Sequence, residues 1–255
     1  MVKISVSQLK CFKACRRMWW LKYRERLEPV KKSDALTIGT NYHAKIEEMY
    51  RDDIVDVTED TKETAMALAY GKYIYPKLKV KQVEEWYEKE VMPGFILHGR
   101  VDGVTEDGIV VEHKTTSRDI GEAYEYDLMW DEQILAYMYL TDTRRIKYTV
   151  CKKPTIRQKK DEDEHDFFNR MCTWYDEDTD AKIRTFDVTR TDAEVQAWVD
   201  ELQATLMHMN GNEVCYRNTL HCQSFGSECQ YKSICLHYDA KQEYMDFVRR
   251  EEDEH

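Results

Sequence analysis

Apolar residues recur at helical spacing near the start of the chain. Leu9, Phe12, Cys15, Met18 and Trp19 predict one amphipathic helix with Ser7 as its cap. A second helix is predicted from Asp34 to about Tyr50, and a third from Thr61 to about Tyr75, where Pro76 stops it. The period then shortens to two. Val83–Val91, Phe95–Val104 and Ile109–Thr115 read as strands, with Pro93-Gly94 and Asp107-Gly108 as turns. Helical spacing returns over Asp127–Leu140, followed by strands at Ile146–Cys151 and Arg184–Val188. Asp192 to about Met209 forms a further helix, with Thr191 and Glu194 at the positions of a capping box. The segment around Cys215–Cys235 has no strong period. This order predicts an α/β fold, a central mixed sheet flanked by helices. No repeat, low-complexity linker or composition break divides residues 1–255, so a single domain is expected.

Composition adds the setting. Hydrophobic residues make up 42% and charged residues 34%, as in a soluble globular protein. No apolar run approaches the roughly 20 residues that span a bilayer, and the N-terminus lacks a signal-peptide pattern. A cytoplasmic protein without a membrane partner is expected, and its eight cysteines are then thiols or metal ligands rather than disulfides. The net charge of −11 is unevenly spread: residues 1–32 hold ten Lys or Arg and two acids. A second basic stretch, Lys152 to Lys160, precedes the acidic run Asp161–Glu164. Such patches suit local contact with phosphates, although on charge alone solvated faces and a loop are the favoured explanation.

The chemistry concentrates in one hairpin. Gly99-Arg100-Val101-Asp102-Gly103 leads through Glu106-Asp107-Gly108 to Val110-Val111-Glu112-His113-Lys114. A three-residue loop at 106–108, with Gly108 left-handed, pairs Thr105 with Ile109 and sets Asp102 opposite Glu112. Lys114, two residues on, then shares their face. A two-residue loop at 107–108 would set Asp102 opposite His113 instead. Two carboxylates and an ammonium on one face suit phosphodiester cleavage with Mg²⁺ or Mn²⁺; an ordinary cross-strand ion pair is the alternative. His43 and Glu47 lie one helical turn apart upstream, as do Gln133 and Tyr137 downstream. Cys222, Cys229 and Cys235 are regularly spaced near the C-terminus.

In this order the pieces resemble the RecB-type branch of the PD-(D/E)XK nucleases. The likeness is greatest to phage and CRISPR-adaptation exonucleases and AddB-type nuclease domains, which carry an iron–sulfur cluster. The matching pieces are Gly39–His43, Gly99–Gly103, Glu112-His113-Lys114, Gln133-x3-Tyr137, and Cys15-Arg16-Arg17 with the distal cysteines. The resemblance implies a restriction-endonuclease-like core and a metal-dependent DNA exonuclease. It implies that His43, Asp102, Glu112 and the backbone carbonyl of His113 hold the catalytic metal. Lys114 becomes the catalytic lysine, and Gln133 and Tyr137 position the DNA strand. Cys15, Cys222, Cys229 and Cys235 are implied to hold a [4Fe–4S] cluster, making residues 1–33 and 211–238 the cluster-binding part.

The chain departs from the family pattern in having Arg16 where many relatives have proline, and six residues between Cys222 and Cys229. Cys11 and Cys215 therefore stand as substitutes, and Zn²⁺ as the alternative to iron. Two other functions stay open: a non-catalytic DNA-binding or assembly module, and the nuclease subunit of a helicase complex. The chain has no Gly-x4-Gly-Lys-Ser/Thr loop, so a motor, or another recombination protein, would come as a partner.

Overall fold

Local capping decides where the first elements begin and stop. In a computed structural model of the chain, describing residues 1–31, 34–211, 214–224, 227–236 and 246–250, β1 (Val2–Ser5) leads into α1 (Val6–Ala14). The cap is Ser5, whose Oγ accepts from the Gln8 N–H at 3.2 Å, not Ser7. The predicted single helix is also broken. Cys15 is extended (φ −161°), and the chain re-enters a short α2 (Arg16–Trp19) continued by a wider turn over Trp20–Arg24. Next come β2 (Leu27–Pro29), α3 (Asp34–Asp52) and α4 (Lys62–Tyr73). Thr61 caps α4 through the Thr64 N–H, and the helix ends before Pro76 as expected.

The three predicted strands are present as β3 (Val80–Met92), β4 (Phe95–Thr105) and β5 (Val110–Thr116). The expected Asp127–Leu140 helix is instead α5 (Glu122–Asp127), a 3₁₀ turn and α6 (Glu132–Thr141). Asp131 causes the break: its backbone is extended and its carboxylate caps the Gln133 N–H at 3.0 Å. Then follow β6 (Arg145–Lys152), α7 (Glu164–Glu177), β7 (Ile183–Thr189) and α8 (Asp192–Asn210). The capping box at α8 forms, with Glu194 N–H to Thr191 Oγ1 at 3.2 Å and Thr191 N–H to Glu194 Oε2 at 2.7 Å. Helix α7, which Asp163 caps and which buries Phe168, Met171 and Tyr175, has no counterpart among the predicted elements. The described tail carries β8 (Gln223–Ser224), β9 (Ser227–Glu228), α9 (Lys232–Leu236) and β10 (Phe247–Arg249).

The main sheet is mixed, in the order β1-β4-β5-β6-β7 with β3 also on β4. The β4–β5 and β6–β7 pairs are antiparallel and β5–β6 is parallel.

The chain forms two compact units. One comprises Asp34–Lys89 and His98–Val199. Its core gathers Tyr42, Ile46, Met66, Tyr70, Val111 and Tyr175, all buried. Strand alternation places Val111 and His113 toward α3 and α4, while Glu112 between them meets α6. The other unit comprises Met1–Ser33, Glu90–Leu97 and Asp200–His255, with a small core of Leu21, Leu27, Tyr231 and Ile234. Its β2 pairs with β10, and Tyr231 Oη donates to the Leu27 carbonyl at 2.7 Å. Within the 1–33 and 211–238 segments, residues 32–33, 212–213, 225–226 and 237–238 lie outside the described residues.

Candidate active site

A three-residue loop sets the site's register. Thr105 N–H donates to the Ile109 carbonyl at 2.9 Å, and Gly108 adopts the left-handed φ of +80° that the turn requires. The pairing Gly103↔Val111 and Val104↔Val110 follows, and it sets Asp102 opposite Glu112. Of the two registers compatible with the sequence, this is the one with the carboxylates together.

Each carboxylate is tightly held. Asp102 Oδ2 accepts the backbone N–H of His113 at 2.6 Å, and Oδ1 lies 3.4 Å from His43 Nδ1 on α3. Glu112 is 2% exposed. Its Oε1 takes the Lys114 ammonium and the Gln133 amide, the latter at 3.0 Å. Its Oε2 is buried without a hydrogen-bond partner, a costly state for a carboxylate oxygen. Gln133 Nε2 also lies 2.8 Å from Tyr137 Oη, which donates to the Arg100 carbonyl at 2.7 Å. Gly99 makes this approach of α6 to β4 possible, since a Cβ there would stand 3.0 Å from the Tyr137 ring.

The electrostatics of the two acids diverge. Burial and the charge of Asp102 push the Glu112 carboxyl up to about 8, against the pull of Lys114. Burial would raise Asp102 too, but the His43 hydrogen bond and charge, with His113 and Lys114, hold it down at about 2. Burial opposes the charge on His43 and Lys114, yet the neighbouring carboxylates overcome it and raise both. His113 is different: burial lowers it to about 4, leaving a neutral ring whose Nε2 is 3.5 Å from Tyr70 Oη.

His43, Asp102, Glu112, His113, Lys114, Gln133 and Tyr137 are therefore joined through hydrogen bonds and ion pairs within one unit. Two acids beside the site carry no sequence signal. Glu84 sits on β3 with a φ of +57°, pairs with Arg100 at 2.5 Å and is raised by burial and by Asp102. Asp131 accepts from Tyr148 Oη at 3.3 Å and contributes to the raised value of Lys114.

In the other unit, Cys15, Cys222, Cys229 and Cys235 line one cavity of about 270 Å³. Asn218 N–H points at Cys15 Sγ (3.3 Å), and Cys229 N–H donates to the Cys222 carbonyl at 3.0 Å. Cys11 is close enough to Cys15 and Cys229 to feel their charge, whereas Cys215 lines a different cavity. As the side chains stand, no three His, Cys, Asp or Glu among the described residues form a ready metal-binding group. At the paired acids the reason is visible: Lys114 and Gln133 occupy Glu112 Oε1, and a backbone N–H occupies Asp102 Oδ2.

The profile of the PD-(D/E)XK nuclease superfamily matches residues 3–236, and the chain belongs to that superfamily. Its sheet and flanking helices are accordingly a restriction-endonuclease-like core. Among curated proteins there is no match. The chain is similar in fold to a candidate exonuclease from Eubacterium rectale, with 14% identity, 98% of this chain and 90% of that one covered, and a TM-score of 0.57. A phage-related exonuclease from Haemophilus somnus matches at 18% identity and TM-score 0.39, covering 80% of this chain and 91% of that one. An alkaline exonuclease from Laribacter hongkongensis matches at 13% identity and TM-score 0.32, with 81% and 91% covered. Among the described residues, no helix is long and apolar enough to cross a membrane.

The acids make stability depend on pH in an unusual direction. Glu112 has a folded value near 8, above its unfolded 4.5. Its contribution is therefore complete below the lower value and lost as pH rises through the higher. His43, also raised, acts in the same sense, and His113 has finished its opposite contribution by pH 6.5. In chelator, the melting temperature should fall between pH 6.5 and 8, and Glu112→Gln should flatten that fall. Parallel melting profiles for the two proteins would contradict the assignment.

Proposed function

We propose that the chain is a divalent-metal-dependent deoxyribonuclease of exonuclease type, with its reaction centre at Asp102, Glu112 and Lys114. Superfamily membership supplies the nuclease chemistry, and the fold shared with the Eubacterium rectale protein supports the exonuclease class. One observation carries the reading: Glu112 is buried opposite Asp102 with Oε2 unpartnered, and a divalent cation is a partner that this oxygen can take.

In this reading Asp102, Glu112, His43 and the His113 carbonyl hold Mg²⁺ or Mn²⁺. When bound, the ion supplies Lewis-acid polarisation of the phosphate and an acidified water. Lys114 leaves Glu112 Oε1, orients the attacking water and offsets charge at the phosphorus. Gln133, anchored through Tyr137 to the Arg100 carbonyl, fixes the carboxylate and the strand beside it. His43 donates to Asp102 and keeps that acid ionised.

On end-labelled single- and double-stranded DNA, Asp102→Asn, Glu112→Gln and Lys114→Ala should each lower cleavage by about 10²-fold or more. Ca²⁺ should support binding without turnover, and His43→Ala should raise the Mn²⁺ concentration needed for half-maximal rate. Wild-type cleavage by Glu112→Gln in matched metal would remove this site.

The four cysteines carry a second, structural part of the proposal: a [4Fe–4S] cluster, with Zn²⁺ as the alternative, held by Cys15, Cys222, Cys229 and Cys235. Support comes from their lining of one cavity. Closing a loop of about 200 residues is entropically costly, which gives such a staple a use. Protein purified without oxygen should contain iron and sulfide and be brown. Zinc alone, without colour, would replace iron in the assignment; neither metal would end it.

A further inference from the structure

The basic N-terminal segment folds around a second cavity, of about 400 Å³, that the reaction does not use. Phe12, Arg16, Trp19, Trp20, Arg24 and His208 are among its lining residues, all within one unit. Rings and guanidinium groups alternate in its lining and beside it, where Arg17 and Tyr216 lie outside the lining itself. Arg16 lies over Phe12 at 5.1 Å and over Tyr216 at 4.9 Å, Arg17 over Trp20 at 4.6 Å, and Arg24 over Trp19 at 5.2 Å. Trp19 is 3% exposed, yet its indole N–H is buried without an acceptor.

The two acids of residues 1–32, Glu25 and Glu28, face Arg249 and Arg250 of β10, each at 3.1 Å. Arg24 is exposed and, among the described residues, pairs with no carboxylate. A fitting ligand needs a flat π-face, a negative charge and a hydrogen-bond acceptor, and must suit a pocket of ordinary ligand size. A nucleotide offers all three. Stacking on aromatic rings and phosphate contact with arginine are how single strands are held irrespective of sequence.

We propose that this pocket binds a nucleotide of single-stranded DNA, the base stacked on Trp20 and its phosphate held by Arg16 and Arg24. The inference rests on the reading of the chain as a DNA nuclease, and it assigns that enzyme a single-strand anchoring site apart from the reaction centre.

The test measures binding of a fluorescein-labelled oligothymidine of about 12 nucleotides, a length within the span such sites cover, by full-length protein in chelator. The same-length duplex is the comparison. Arg16→Ala with Arg24→Ala should weaken single-strand binding about tenfold or more. The slope of log K against log salt should flatten by about 1.4, the loss of two phosphate contacts. Trp20→Leu should weaken binding at least about fivefold, and Arg24→Lys should restore most of the affinity lost in Arg24→Ala. Single-strand affinity within twofold of wild type in the double variant and in Trp20→Leu would overturn the proposal, as would equal loss for duplex.

Hydrolysis of bis(p-nitrophenyl) phosphate reports the reaction centre separately, and the double variant should keep the parent rate. If the parent hydrolyses no phosphodiester but the variants still lose the strand, the nuclease reading fails and the pocket stands. If the variants lose hydrolysis of this small ester as strongly as strand binding, the pocket is not a separate site and the proposal fails.

Discussion

The register of one hairpin sets the geometry on which the proposed reaction centre depends. Gly108, in the left-handed region, closes a three-residue loop, and that loop brings Asp102 and Glu112 to opposite positions. A slip of one residue would turn one acid to the other face of the sheet. The alternation that directs Glu112 toward α6 also directs Val111 and His113 into the packing with α3 and α4. The core therefore enforces the register that the site requires. Burying two acids together is unfavourable by itself, and the hydrophobic packing around them is what holds them there.

The surrounding groups resolve that cost unequally. Asp102 receives a backbone N–H and the His43 ring and stays ionised, whereas Glu112, deeper, is pushed toward its protonated form. Two like groups set far apart by their environments are a familiar mark of a working site. Lys114 and Gln133 partly compensate Glu112, and Tyr137 fixes Gln133. Gln133 is itself anchored through Tyr137 to the Arg100 carbonyl, so this side of Glu112 is held in place.

Much of this was legible in the sequence where local rules act alone. The Thr191–Glu194 capping box, the stop before Pro76 and the Gly108 loop need only neighbouring residues, and all three appear as expected. Failures came where a side chain's partner is set locally but competes with a longer pattern. Ser5 outcompetes Ser7 as a cap, and Asp131 interrupts a run that reads as one helix. The acidic run before α7 masked a helix whose apolar positions Phe168, Met171 and Tyr175 begin just beyond it. Glu84 left no signal, because nothing in an alternating strand containing Glu85, Glu88 and Glu90 distinguishes it. Its left-handed backbone and Arg100 partner exist only in the folded state. Cys15 and the cysteines about 200 residues away were grouped only by the family resemblance, and the fold brings all four to one cavity.

In the proposed centre, Asp102 and the unpartnered Oε2 of Glu112 take a divalent cation. Calorimetric titration of Mn²⁺ into the protein at pH 7, in buffers of different ionisation enthalpy, measures affinity and proton release together. Because burial and Asp102 favour the protonated form of Glu112, and the two acids favour that of His43, binding should release protons. Asp102→Asn and Glu112→Gln should bind at least about tenfold more weakly, with Glu112→Gln releasing fewer protons than the wild type. Equal affinity in all three proteins, with no proton released by the wild type, would contradict the account.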